Sequence, residues 1–235
     1  MKKYILYFLT FLAINMIIFG IVVVAYQYLV NIRQDAIINE IATIEEGSDR
    51  INLVREAMLQ NEDTVGWIKV PNTNINMPVV QSENNDFYLY HNFRRESDQA
   101  GWAFADFRND FPELNKNTIV YGHTFRNSRV VFSDLIRLLN ANWFNNDENH
   151  YLHFITTQHE YKFRIFSVYT IEPTDDYLRT GFGDEDDYAE FLNLIQGRSL
   201  HKFNTEINNS LPIITLSTCN PGQTRLVVHA KLVEG

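Results

Sequence analysis

The sequence predicts a mainly β fold, a closed or nearly closed barrel, on three observations. Most of the chain from residue 63 onward divides into short segments that are β-branched, apolar or alternating, as strands are. Clusters of Asn, Pro and Gly separate several of these segments and are typical of turns. Only a few stretches have the spacing of helices. Many short strands with few helices indicate a barrel, so region 63–235 is predicted as one β-barrel domain.

The N-terminal segment predicts a membrane anchor at residues 1–30. Ile5–Tyr26 is almost wholly apolar and, at about 1.5 Å per residue, spans about 33 Å as a helix, enough to cross a bilayer core of about 30 Å. A cleaved signal peptide is the alternative, but its apolar region is usually shorter, and Val22–Tyr28 has no good cleavage site. Lys2 and Lys3 favour an N-terminus inside the cell and a remainder outside it, although the downstream Arg33 weakens this charge contrast.

Segment 31–62 is predicted as a helical stalk between the anchor and the barrel. It is polar, but its apolar residues recur at helical spacing. Gly47 and Ser48 divide the pattern into two helices, with Ser48 or Asp49 as a cap for the second.

The elements of the barrel region follow in chain order. Gly66–Gln81 contains two short strands around the turn Pro71–Asn74. Further strands are predicted at Gly101–Phe107, Asn117–Phe125, Tyr151–Thr156, Tyr161–Ile171, Ile213–Leu216 and Leu226–Leu232. Helical spacing appears in Val131–Leu139 and in Asp184–Leu194, whose acidic first turn suits the helix dipole.

Composition and histidine spacing exclude several functions. A formal net charge of −9 argues against nucleic-acid binding by bulk electrostatics. His150 and His153 would point to opposite faces of a strand, and the acidic run at 184–187 lacks the pattern of a calcium loop. We therefore expect no metal and no cofactor. The single cysteine, Cys219, excludes an intramolecular disulfide.

Three residues at predicted strand ends indicate nucleophilic chemistry. Cys219 ends one strand, and Arg225 opens the next after a short connection, so the two are expected to lie close together. A cation beside a thiol favours the thiolate and can stabilise an oxyanion. His123 ends an upstream strand and is a possible base for this nucleophile. The alternative interpretation is a buried apolar cysteine and a surface arginine.

The motifs around these residues resemble those of the sortases, cysteine transpeptidases of Gram-positive cell surfaces. They are TLSTC at 215–219, RLVVHAKL at 225–232 and YGH at 121–123. The similarity is greatest to class B, sortase B, and covers most of the chain from Gly66 onward, including GWIKVPNTNINMPVVQ and the segment YLRT with the acidic helix after it. It implies a sortase-type barrel of about eight strands, N-terminal helices that cover it, and an extra helix before the cysteine strand. The connection from Cys219 to Arg225 is shorter than in several class B members.

The resemblance also implies a function and a site. The enzyme would cleave a five-residue C-terminal sorting signal of secreted proteins, ending in Thr-Gly or Thr-Asn, and join them through a thioester to an amine of peptidoglycan or its lipid-linked precursor. Cys219 would be the nucleophile, His123 the general acid and base, and Arg225 the oxyanion donor. Substrate-binding residues match at Ser217, Tyr177 and Leu178, and more loosely at Asn85 and Leu89.

An alternative from another class is a membrane-tethered extracellular β-domain that binds a partner without catalysis. Convergence of the three predicted catalytic residues in the fold would distinguish the enzyme from this alternative. Papain-like proteases place their cysteine early and on a helix, and L,D-transpeptidases have a Gly before it, whereas Thr218 precedes Cys219 here.

Overall fold

The computed structural model describes residues 2–47, 50–124, 131–207, 209–218 and 224–234. Within these ranges, eight strands form a closed barrel in the order β1-β2-β3-β4-β7-β8-β6-β5, which confirms the predicted fold class. The strands are β1 (Thr64–Lys69), β2 (Asn76–Val80), β3 (Phe104–Ala105), β4 (Asn117–Gly122), β5 (Tyr151–Ile155), β6 (Glu160–Ile171), β7 (Ile213–Thr218) and β8 (Arg225–Glu234). Neighbouring strands are antiparallel, except for the parallel pairs β2–β3 and β4–β7.

Helices lie before the barrel and between its strands. They are α1 (Lys2–Gly47), α2 (Arg50–Gln60), α3 (Ala141–Phe144) and α4 (Glu185–Gly197). Short 3₁₀ helices occupy Phe87–Leu89, Ser133–Leu139 and Asp147–His150. Helix α4 is the extra helix predicted before the cysteine strand, and the Asp184 side chain caps it by accepting a hydrogen bond from the Asp187 amide.

Helix α1 joins the predicted anchor and the first predicted stalk helix into one continuous element. Its apolar side chains are exposed from Tyr4 to Leu29, and Lys3–Asn39 is long and apolar enough to cross a membrane. Near its C-terminal end Ile37 is buried in the barrel's hydrophobic cluster, and the buried Gln34 donates to Asp98 Oδ2 at 3.1 Å. The same helix therefore projects away from the barrel at one end and packs on it at the other.

Helix α2 lies against the outside of the barrel. Leu53, Val54 and Ala57 are buried on the face that packs against the β1 side of the barrel. The caps expected from Ser48 or Asp49 lie outside the described residues. The division of the chain at residues 30 and 62 stays a prediction, although the packing of α2 is that of a cover.

One predicted strand is much shorter in the structure. Only Phe104 and Ala105 of Gly101–Phe107 pair as a strand. Gly101 has a φ of +59° and closes a turn with Asp98, which prevents an extended backbone at that end. At the other end the Asn109 amide bonds back to the Asp106 carbonyl, so the chain leaves the sheet there.

Two hydrophobic clusters stabilise the fold. The larger cluster fills the barrel and includes Trp67, Trp102 and Phe163. The smaller one lies between α4 and strands β6, β7 and β8, and it includes Tyr177 from the β6–α4 connection. Tyr177 is fully buried, so this connection is tied into the core near its middle.

Candidate active site

Four strands begin or finish at the same end of the barrel. Gly122, the last residue of β4, pairs with Thr218, the last residue of β7, in parallel register. Strand β8 runs antiparallel to β7, and its first residue, Arg225, pairs with Ile171 at the end of β6. Because neighbouring strands lie about 4.8 Å apart, the backbones of His123 and Arg225 are about two strand spacings from each other. The structure therefore brings these two predicted residues to the same end of the barrel.

The predicted nucleophile belongs to the connection between β7 and β8. Cys219 directly follows Thr218 in the sequence, but residues 219–223 lie outside the described residues. The short connection noted in the sequence falls in this gap. The Thr218 hydroxyl accepts a hydrogen bond from the Leu226 amide at 2.8 Å, which joins the two strands next to the gap.

His123 has a defined hydrogen-bond partner. Its ring is buried, and its Nε2 lies 2.9 Å from the Leu89 carbonyl oxygen. A carbonyl only accepts, so Nε2 is the ring nitrogen that donates in this contact. Gly101 lies close to this ring, because a Cβ at this position would be 3.0 Å from His123 Cδ2.

Arg225 is oriented by the β6–α4 connection. Its Nη1 donates to the Thr174 carbonyl at 3.0 Å and to the Tyr177 hydroxyl at 3.4 Å. Asp175 lies 3.6 Å away, but its side chain is 90% exposed, so the pair adds little to stability. The Tyr177 hydroxyl is in turn 3.0 Å from the Ser217 hydroxyl, which continues the chain of contacts into the barrel.

The predicted substrate-binding residues occupy three different places. Ser217 and Tyr177 are fully buried beneath Arg225, and the Leu89 carbonyl holds His123. Asn85 and Leu178 line a groove of about 510 Å³. The groove is also lined by Arg108, Tyr121, Asp175, Arg179, Thr180 and Gly181. The binding roles of the five residues stay predictions.

Two side chains in this groove were not predicted from the sequence. Tyr121 precedes His123 by two residues, and alternation along a strand would place the two side chains on one face. Arg108 stands two residues after Asp106, and the Arg108 guanidinium and the Asp106 carboxylate form an ion pair at 2.7 Å. The sequence signal available for this pair was an acidic and a basic residue two positions apart, directly after a short strand.

The histidines considered as metal ligands have other partners. His150 is buried with Nε2 2.7 Å from the Phe144 carbonyl, and His153 pairs with Glu160 at 3.0 Å. Across the ranges that the structure describes, no three His, Cys, Asp or Glu side chains lie close enough to hold a metal ion.

Comparison with known proteins agrees with this geometry. The family model described as the sortase domain matches residues 68–233. The chain belongs to the sortase family. It is 33% identical over 189 residues to sortase B of Listeria monocytogenes, covering 77% of this chain and 74% of that protein.

Two solved sortase B structures have the same fold. The Bacillus anthracis sortase B in complex with AAEK1 superposes with a TM-score of 0.81 at 34% identity, covering 88% of this chain and all of that one. A sortase B complexed with triglycine gives a TM-score of 0.78 at 29% identity, covering 86% and 96% of the two chains.

Membership of this family establishes the class of activity. This sortase is a cysteine transpeptidase that anchors proteins to the cell wall through their sorting signals. The predicted family, fold and enzyme class are confirmed. The alternative of a tethered domain without catalysis is set aside.

Proposed function

We propose that Cys219, His123 and Arg225 carry out the transpeptidation at the end of the barrel where β4 and β7 finish and β8 begins. The register of β4, β7 and β8 carries this proposal. Gly122 pairs with Thr218, so the strands that lead to His123 and Cys219 end side by side, and Arg225 opens the adjacent strand.

In the first half-reaction, the Cys219 thiolate attacks the carbonyl carbon of the scissile amide and a C–S bond forms. The C–N bond then breaks, and the leaving amine takes a proton from His123 Nδ1. The Leu89 carbonyl keeps Nε2 protonated throughout, so only Nδ1 exchanges a proton. The product is a thioester between Cys219 and the secreted protein.

In the second half-reaction, an amine of the cell wall attacks the thioester. The now neutral His123 Nδ1 takes a proton from this amine, an amide bond forms and the thiolate leaves. The triglycine bound to a related sortase B carries an amino group of the kind that this step requires. A cross-bridge or side-chain amine of peptidoglycan or its lipid-linked precursor is therefore the proposed acceptor.

Arg225 stabilises the oxyanion that forms in both half-reactions. Its Nη1 contacts with the Thr174 carbonyl and the Tyr177 hydroxyl fix the plane of the guanidinium, and with it the direction of the remaining donors. A donor that is already oriented does not have to reorganise when negative charge develops on the carbonyl oxygen. Ser217 acts through Tyr177, which it contacts, to support this orientation.

The groove at this end of the barrel binds the sorting signal. Asn85 and Leu178 both line it, and it lies next to the β6–α4 connection that holds Arg225. A groove of about 510 Å³ is within the usual size range of sites for small ligands.

The test uses the full chain in detergent micelles with a library of fluorogenic sorting peptides. The wild type should cleave peptides whose signal ends in Thr-Gly or Thr-Asn, and added triglycine should intercept the thioester, so that a transpeptidation product forms in place of the hydrolysed one. Cys219→Ala should abolish both reactions, because the chain has no other thiol. Mass spectrometry of the wild type should detect the acyl-enzyme on Cys219. Cleavage that survives in Cys219→Ala would contradict the mechanism.

A further inference from the structure

One buried carboxylate holds three parts of the groove together. Asp106 is fully buried, and its Oδ2 accepts hydrogen bonds from the Tyr121 hydroxyl at 2.8 Å and the Asn85 amide at 3.1 Å. Arg108 donates to both carboxylate oxygens, from Nε at 2.8 Å and from Nη2 at 2.7 Å. The same Nη2 also donates to the Leu178 carbonyl at 3.0 Å.

These contacts join segments that are far apart in the chain. Asn85 lies between β2 and β3, Tyr121 in β4, and Leu178 in the β6–α4 connection. Two of the three are connections without regular secondary structure, which depend on side-chain contacts for a fixed position. The Asp106–Arg108 pair supplies one such contact to each connection.

The Asp106 carboxylate and the Arg108 guanidinium form a two-donor ion pair. Burial alone would raise the pKa of the Asp106 carboxyl, but hydrogen bonds from the Arg108 side chain and backbone and from Tyr121 together lower this pKa below its ordinary value. A planar guanidinium can bond a carboxylate through two donors and still direct an N–H at a third acceptor, whereas an ammonium group has no such fixed geometry.

Arg108 and Arg225 hold consecutive parts of one connection. Arg225 contacts Thr174 and Tyr177, and Arg108 contacts Leu178. Loss of the Arg108 contact leaves the partners of Arg225 in place. A change at Arg108 is therefore expected to affect the wall of the groove more than the orientation of Arg225.

We propose that Asp106 and Arg108 are positioning residues that set the width of the sorting-signal groove and thereby its affinity for the peptide. The inference rests on the proposed function, because it takes the groove as the peptide site. Neither residue takes part in the chemistry at Cys219.

Binding is measured separately from cleavage. The parent is full-chain Cys219→Ala in micelles, and the probe is the tightest binder of the fluorescein-labelled sorting-peptide library, followed by fluorescence anisotropy. Adding Arg108→Lys retains a cation beside Asp106 but removes the planar fork. We expect a Kd about tenfold higher, as loss of one hydrogen bond to a charged group would cause.

The matched control is Arg95→Lys. Arg95 pairs with Asp63 at 2.9 Å and is 48% exposed, against 41% for Arg108, but it does not line this groove. Its Kd should equal that of the parent. With Cys219 restored, Arg108→Lys should raise KM by a similar factor while kcat and the rate of Cys219 alkylation by iodoacetamide stay near the wild-type values.

Three outcomes would overturn the inference: an unchanged Kd in a folded Arg108→Lys chain, a fall in kcat without a change in KM, or no measurable binding by the parent. If the lysine variant does not fold, Arg108→Gln, an uncharged donor, takes its place under the same criteria. Peptide that binds but is never cleaved by the wild type would contradict the proposed chemistry and leave the groove inference standing.

Discussion

At the scale of single residues, the site depends on how its side chains are held. The Leu89 carbonyl contacts His123, and the Thr174 carbonyl and the Tyr177 hydroxyl contact Arg225. These partners of Arg225 are not adjacent to it in sequence. The chemistry assigned to these groups requires a fixed direction more than it requires charge alone.

Arg225→Lys tests this requirement. Lysine keeps the positive charge but loses the planar set of donors. We expect acylation by a sorting peptide to slow by on the order of 10²-fold, as loss of an oxyanion donor does in other enzymes. Single-turnover thioester formation measures the rate, and a melting curve checks that the variant is folded.

The matched control is Arg198→Lys. Arg198 holds the same connection through Asp176, at 2.9 Å from Nη1, but has no proposed part in the chemistry. It should acylate near the wild-type rate. A folded Arg225→Lys enzyme with wild-type acylation would remove Arg225 from the mechanism.

At the scale of elements, a buried polar network links the strands beneath the site. His229 on β8 is fully buried, with Nδ1 2.8 Å from the Thr215 hydroxyl and Nε2 2.9 Å from the Tyr169 hydroxyl. Thr215 donates to Asn117, whose amide donates to the Arg179 carbonyl in the β6–α4 connection. The network therefore joins strands β4, β6, β7 and β8 to the connection whose residues line the groove.

This network makes stability depend on pH. Burial, and secondarily the charge of Arg198, lower the pKa of His229 from 6.5 to about 3. Between these values the unfolded chain binds a proton that the folded chain does not. The contribution of His229 to stability is therefore complete above pH 6.5 and falls as the pH drops towards 3, by up to about 1.4 kcal/mol per pH unit.

Urea unfolding at several pH values between 7 and 4.5 measures this dependence. His229→Gln removes the titrating group and should give a shallower slope of unfolding free energy against pH, even if the variant is less stable at pH 7. The control, His159→Gln, removes an exposed histidine and should keep the wild-type slope. Equal slopes for the wild type and His229→Gln would contradict the prediction.

At the scale of the whole molecule, α1 connects a candidate membrane span to the barrel without a break. The exposed apolar residues Tyr4–Leu29 precede Gln34 and Ile37, which pack on the barrel, within one helix. An anchor of this kind would hold the barrel close to the membrane surface. We propose an uncleaved single-pass anchor with the N-terminus inside and the barrel outside, consistent with Lys2 and Lys3.

Two measurements check this topology. N-terminal sequencing of the membrane fraction should find that the apolar segment Ile5–Tyr26 is retained, and a start near Gln27 would show a cleaved signal peptide. Because Cys219 is the only thiol, a membrane-impermeant maleimide added to intact cells should label the wild type and not Cys219→Ala. Labelling only after cell lysis would show that the orientation is opposite to the proposed one.

The sequence by itself determined the family, the class of fold and most of the elements. Segments that are β-branched, apolar or alternating matched β1, β2, β5, β6, β7 and β8, and the acidic turn at Asp184 marked the start of α4. The motifs around Cys219 and His123 were sufficient to identify a sortase. These features are local, because periodicity, turns and short motifs are carried by residues close together in the chain.

Only the tertiary structure decided how distant segments support one another. It shortened β3 at Gly101, buried Ser217 and Tyr177 beneath Arg225, and placed Leu178 against Arg108, seventy residues away. Such contacts depend on the register with which the barrel closes and on the path of its connections. A local pattern records which face of a strand is buried, but it does not record which distant carbonyl a guanidinium will reach.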